Sequence, residues 1–312
     1  MSLHDRPGAP PCVHRAPWLT LWGGGRPLSG EGIQDESHAA AHARDPMTSH
    51  PQPSRSPASS DASLALPLHR PAAERFHSRF AWLDSWHTFS FGSHVDPAWM
   101  GFGPLRVIND DTIAAGQGFG QHPHRDMEII TVMVEGQLNH RDSMGHSAVL
   151  RAGEVQRMSA GTGIAHSEIN GGDRSCRLLQ IWIVPDAPGH APAYAQKPFP
   201  QAAGWTLLID PRGADGALAI HRPVRLWRGR LDPGQTLLPP VASEPASPLG
   251  WLQVIDGDAR LAFDAEPSAD SALPTTLGRG DGLGFAQPPN PGAIRALTAG
   301  GRGADLLWFA LA

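Results

Sequence analysis

From about residue 76 onward, apolar residues recur in short runs set between glycine-bearing turns. Residues 105–109, 128–135, 148–150, 155–158 and 178–184 are rich in β-branched and long apolar side chains and read as strands. The aromatic segment Trp82-Leu83-Asp84-Ser85-Trp86-His87-Thr88-Phe89-Ser90-Phe91 has the same β-prone texture. Nowhere do apolar residues hold three- and four-residue spacing long enough for a long amphipathic helix. Many short strands joined by glycine turns predict an all-β sandwich or barrel.

The pattern occurs twice. Val132-Met133-Val134-Glu135-Gly136-Gln137-Leu138 resembles Gln253-Val254-Ile255-Asp256-Gly257-Asp258-Ala259: an apolar strand, an acidic-Gly turn and a following strand, as in a hairpin. A glycine-acid pair follows in each copy, Gly153-Glu154 and Gly280-Asp281. Two consecutive β-barrels are therefore expected, over residues 74–195 and 196–312, with the proline-rich stretch 185–200 as linker. Residues 1–73 form a third, different region. Nine prolines and six glycines fall in residues 1–63, with little periodicity, so this segment reads as a disordered extension or as sequence upstream of a true start such as Met47. It holds scattered histidines (His4, His14, His38, His42, His50, His69), which are read as part of a polar tail.

Charge and cysteine content narrow the function classes. The formal net charge is −5, without the basic stripe that nucleic-acid binding requires. No run of 18 apolar residues exists for a membrane span, and the N-terminus lacks a secretory pattern. Cys12 and Cys176 make no disulfide framework, which fits a reducing, cytoplasmic setting.

The candidate chemistry sits in two short segments, Gln121-His122-Pro123-His124-Arg125-Asp126-Met127-Glu128 and Gly161-Thr162-Gly163-Ile164-Ala165-His166-Ser167-Glu168. In a strand, side chains two apart share a face. If the two strands are neighbours, His122, His124, His166 and Glu168 converge, a donor set suited to a divalent transition metal with open positions. The second copy is blank: the same offsets give Ser243, Pro245, Ala293 and Arg295, and no histidine follows His221. A single metal site, in the first barrel, is expected.

These residues also carry a resemblance. Gly116-(five residues)-His122-x-His124-(three residues)-Glu128 is similar to the first motif of the cupins, and Gly153-(five residues)-Ser159-Ala160-Gly161 with His166-(three residues)-Asn170 to the second. Ser159 stands where proline is usual, and two extra residues separate Gly161 from His166. The wording of both segments, with Trp82 to Phe89 and Arg106-Val107-Ile108-Asn109-Asp110-Asp111, resembles the pirin family, closest to bacterial pirin-like proteins described as quercetin 2,3-dioxygenases. The resemblance implies a bicupin, two consecutive RmlC-like jelly-roll barrels, with one metal held by His122, His124, His166 and Glu168. Glu128, the ligand position of many other cupins, is expected to face inward as a fifth ligand or a neighbour of the ligands. Iron(II) is the expected metal, with Zn, Ni, Mn, Co and Cu as alternatives.

The function so implied is oxidative ring-opening of a flavonol such as quercetin with O₂, releasing CO, with Glu168 as the proton acceptor and Glu128 as the alternative to it. The alternative is a non-catalytic iron sensor acting on a protein partner, a transcription regulator or metabolic enzyme. Isomerase or carbohydrate-binding cupin chemistry is a third reading. An enzyme calls for an aromatic-lined mouth at the metal; a sensor does not. Of the other candidates, Trp86, Phe89, Phe91, Phe119 and Trp182 read mostly as core, and Cys176 as a buried small hydrophobe. His77, His94, His146, His190 and His221 read as surface or satisfied groups, while His87 and His140 are left as possible pocket lining.

Overall fold

The computed structural model describes residues 66–240, 248–264, 274–287 and 293–312. The histidines before His69, together with Met47 and Cys12, lie outside the described residues. No helix among the described residues is long and apolar enough to cross a membrane.

Twelve strands lie before residue 200: β1 (Leu68–Arg70), β2 (Phe76–Arg79), β3 (Leu83–His87), β4 (Leu105–Ile113), β5 (Gly118–His124), β6 (Glu128–Glu135), β7 (Gln137–Asp142), β8 (Ser147–Arg151), β9 (Glu154–Ser159), β10 (Ile164–Ile169), β11 (Cys176–Ile183) and β12 (Ala193–Pro198). Eight follow: β13 (Gly204–Asp210), β14 (Leu218–Ala219), β15 (Val224–Leu231), β16 (Thr236–Leu237), β17 (Leu249–Phe263), β18 (Thr276–Gly278), β19 (Gly282–Ala286) and β20 (Ile294–Leu311). The first barrel closes a seven-stranded sheet, β12-β9-β6-β11-β4-β3-β2, over a four-stranded one, β5-β10-β7-β8. The second is one strongly bent sheet, β1-β19-β17-β20-β15-β13-β14, with β16 and β18 at its margins.

The duplicated acidic-Gly signal has a different meaning from a hairpin. β6 pairs with β9 and β11, whereas β7 pairs with β8 and β10, so the chain changes sheets at Gly136. In the second copy, β17 runs through Gly257 without a break and shifts register against β20 there. Both glycines have φ +73°, and a Cβ on Gly136 would lie 2.8 Å from Cys176 Cβ. Only a glycine bends the strand this sharply at that spacing. The second signal is equivalent in detail: Glu154 Oε2 accepts from the Arg151 amide and Asp281 Oδ2 from the Gly278 amide, each three residues back.

Two further departures concern the ends of the barrels. Leu68–Arg70, inside the presumed extension, pairs with β19 of the second barrel. Ala193–Pro198, inside the presumed linker, pairs with β9 as an edge strand. An edge tolerates a proline, because its missing amide costs no ladder bond.

The outward face of β6, β11 and β9 (Ile130, Val132, Ile181, Ile183, Val155) packs on Ile209, Val224, Leu226, Trp251 and Phe309 of the second barrel. Its hydrophobic burial joins the two units. The interior of the second barrel is filled by Leu252, Val254, Leu261, Leu283, Phe285, Leu297 and Trp308. The interior of the first is polar around β5, β10, β7, β9 and β11, and the site lies there.

Candidate metal centre

β5 and β10 are antiparallel neighbours with His122 directly opposite His166. His124 shares a face with His122, so three imidazoles meet. His124 Nε2 lies 3.0 Å from His166 Nε2, and the His122 ring centroid is 4.8 and 4.5 Å from those of His124 and His166. Two nitrogens each about 2.1 Å from one ion, at right angles, stand about 3 Å apart. Burial, with the neighbouring histidine rings adding to it, pushes both His124 and His166 down to about 3, so both are neutral and offer lone pairs at pH 7. His122 Nδ1 donates to the Gly120 carbonyl at 2.7 Å, which leaves Nε2 as the free acceptor.

Glu168 is two residues beyond His166 on the same strand. A register shift in the β5 partner sets Phe119 opposite Glu168 on one side, and His140 of β7 is opposite on the other. The carboxylate is 1% exposed. Gln156 Nε2 donates to Oε1 at 2.5 Å and Gln180 Nε2 to Oε2 at 2.7 Å. Thr131 links the two amides, accepting from Gln156 and donating to Gln180 Oε1 at 2.8 Å. These inward positions alternate with outward apolar residues on β9, β11 and β6, which is why the strands supply them together. Among the described residues no Lys, Arg or His makes an ion pair with Glu168. A buried carboxylate with no cation is costly. A divalent ion beside the adjoining imidazoles would supply the missing charge, and a set of imidazole nitrogens with one carboxylate fits one.

The donor atoms form two overlapping groups, each within 4.8 Å: His122, His124 and His166, and His140, His166 and Glu168. Among the described residues the second barrel contributes no such group. His140 was legible only as pocket lining. In the fold it is fully buried, with Nε2 3.1 Å from Asp142 Oδ2 and its ring stacked on Tyr194 at 4.4 Å. The signal that marks it is His140-x-Asp142, another pair two apart on the strand beside β10.

Glu128 does not face inward. It stands opposite Ser159 and Ile183, on the face of β6 turned to the second barrel. Its Oε1 is 3.0 Å from His221 Nδ1, and its Oε2 accepts from Ser159 Oγ at 2.8 Å. It lies four positions beyond His124, but the chain between leaves one sheet for the other. Asp126 takes φ +48° there, which resets which face the next strand presents. Ser159, in place of the usual proline, supplies the hydroxyl that holds Glu128.

The mouth beside His124 is an open cleft of about 450 Å³ lined by Pro123, His124, Arg125, Ser143, Gly163, Ile164 and Ala165. Aromatic rings flank the histidines: Trp182 meets His124 edge to face at 5.0 Å, and Phe119 meets His122 at 6.3 Å. Phe89 belongs to the packing between barrels against Trp251, and Trp86 stacks on His77. His87 is bound to Asn109 and Ser78 and is in neither donor group. Cys176 is 1% exposed, and burial raises its thiol to about 11.

The profile of the Pirin family matches residues 70–183, and that of the quercetinase C-terminal cupin domain matches 207–310. The chain is 47% identical over 193 residues to a quercetin 2,3-dioxygenase of Escherichia coli K12, covering 62% of this chain and 82% of that protein. The bacterial pirin YhhW of Escherichia coli, solved in complex with nickel(II), superposes with a TM-score of 0.68 at 39% identity, over 79% of this chain and 99% of that one. A quercetin 2,3-dioxygenase from Acinetobacter baumannii shares the fold at 18% identity and a TM-score of 0.56, over 75% of this chain and 83% of that one.

Proposed function

The chain belongs to the pirin family and has its bicupin fold, and on that footing we propose that it is a metal-dependent dioxygenase that opens the central ring of a flavonol such as quercetin. The observation that carries this reading is the buried carboxylate of Glu168, without an ion-pair partner among the described residues, grouped with His166, which in turn is grouped with His122 and His124. Those four residues are the proposed ligands, with iron(II) the favoured ion; the nickel in the similar bacterial pirin supports a divalent metal. Bound there, the ion would supply Lewis-acid polarisation of the flavonol 3-hydroxyl and redox chemistry with O₂.

The protein's own share is positioning. Gln156 and Gln180 donate to both Glu168 oxygens and fix the carboxylate's plane. Glu168 is the proposed acceptor of the 3-hydroxyl proton, and one amide must let go when it takes it. The His122 tautomer is set by Gly120, and Trp182 and Phe119 bound the space around His124 and His122 where a flat ring would lie. In the overall reaction O₂ adds to the flavonol, two ring bonds at carbon 3 break, and that carbon leaves as CO. The cytoplasm is the proposed compartment.

A second reading, a metal-state sensor acting on a protein partner, is favoured by the mouth itself, which carries no aromatic side chain other than the His124 ring. Incubating metal-loaded protein with quercetin without oxygen, then admitting air, separates the two. The enzyme consumes O₂ and releases CO; failure with each of Fe, Ni, Co, Mn, Cu and Zn would overturn the dioxygenase reading.

A further inference from the structure

We infer that His140 is a positioning residue for the metal centre: the acceptor that takes the Nδ1 proton of His166 and links that ligand to Asp142. The inference rests on His166 being a ligand, as proposed above. Two buried nitrogens motivate it. His166 turns Nε2 toward His124 at 3.0 Å, and its Nδ1, in a residue 1% exposed, has no hydrogen-bond partner among the described residues. His140, fully buried on the adjoining strand, has a Nδ1 equally without a partner among them.

The chemistry of the pair is complementary. Asp142 Oδ2 lies 3.1 Å from His140 Nε2. Asp142 Oδ1 also accepts from the Met144 and His146 amides, so the carboxylate is fixed in place. With Nε2 donating to that carboxylate, Nδ1 is the nitrogen of His140 that remains to accept. When His166 Nε2 gives its lone pair to an ion, its proton must sit on Nδ1, and a buried N–H needs an acceptor. The ring centroids are 5.4 Å apart at 50°, a separation that one N–H···N contact spans once the rings turn toward each other. Strand register holds the partners in place: Asp142 is opposite His166, and His140 is opposite Glu168. Tyr194 stacks on one face of His140, which leaves the edges of the imidazole open to in-plane hydrogen bonds.

The test compares full-length wild type with His140→Asn, His140→Leu and His166→Ala. Each is stripped of metal, checked for folding by circular dichroism, and titrated with nickel(II) against a chelator. Asn offers an amide oxygen close to the Nδ1 position, whereas Leu keeps volume and offers nothing. The expected result is a loss of about 10–100-fold in affinity for His140→Leu, with His140→Asn within about threefold of wild type. In copper(II)-loaded protein, electron spin-echo modulation should then show a changed remote-nitrogen signal in His140→Leu with the same number of coordinated nitrogens. Affinity unchanged in His140→Leu, or equally reduced in His140→Asn, overturns the role. One fewer coordinated nitrogen also overturns it, since His140 would then be a ligand itself. Wild type that binds no metal sinks the metal centre as a whole, a result distinct from those three.

Discussion

Glu128 Oε1 lies 3.0 Å from Nδ1 of His221, a residue 93 positions further along the chain in the second barrel. The glutamate is 1% exposed, its second oxygen accepts from Ser159, and it stands on the face of β6 turned to the second barrel. Glu168, not Glu128, is the carboxylate grouped with His166.

The two glutamates can be separated by substitution. Glu168→Gln removes the charge that balances the ion, and nickel affinity should fall by at least about 100-fold, more than the loss of a supporting neighbour. Glu128→Gln should bind metal within about twofold of wild type. It should instead lose about 1–2 kcal/mol of stability, because a charge-assisted bond to a half-exposed His221 is replaced by a neutral one. Isothermal titration and denaturant unfolding of both variants check the pair.

Acid should destabilise the metal-free protein. Burial lowers His87 to about 4 and His166 to about 3, below the unfolded value of 6.5. Between those limits the unfolded chain binds more protons than the folded one. The stability from these neutral imidazoles is thus complete above pH 6.5 and is lost as pH falls toward 4 and then 3. The expected slope is about 1.4 kcal/mol per pH unit for each net proton taken up. Urea midpoints at pH 7.5, 6 and 5 measure it, and a stability that is flat or rises on acidification contradicts this reading.

Asp111 has the opposite sign. Burial pushes its carboxyl up to about 7, against the bond donated by the Ser85 hydroxyl and with Asp110 and Glu168 adding to the rise. Its contribution is complete below about 3.8 and is lost as pH rises through 7. Asp111→Asn should therefore gain on wild type by about 1–3 kcal/mol in going from pH 4 to pH 8. Thermal melts at the two pH values give the difference.

The sheet-switching glycine should be intolerant where an open glycine is not. Gly136→Ala places a Cβ at φ +73° and 2.8 Å from Cys176 Cβ. Gly116→Ala has a similar φ, +69°, but nothing within 4 Å. The first should cost well over 2 kcal/mol and the second about 1 kcal/mol, as read from the urea midpoints of the two variants.

Much of this arrangement was legible in the sequence because strands expose it directly. The strand over Glu128–Glu135 follows from its run of β-branched and apolar residues, and the shared face of each histidine-bearing pair from the two-residue period of a strand. What alternation cannot report is a change of sheet. Counting by twos from His124 turns Glu128 inward, and the turn at Asp126 breaks that count. Likewise Glu135-Gly136 reads as a hairpin, although the strands on either side pair with others. The partners of β1 and β12 come from strands far along the chain or in a proline-rich stretch, where local pattern carries no signal. His140 escaped because its importance comes from the strand beside it, through the register that sets it opposite Glu168.

The central claim is a single metal centre in one barrel of a duplicated pair. Elemental analysis after loading full-length protein with nickel(II) and removing excess, set beside His166→Ala, tests it most directly. One ion per chain in wild type and none in the variant is the expected result. Two ions per chain, or equal retention in both proteins, would contradict it.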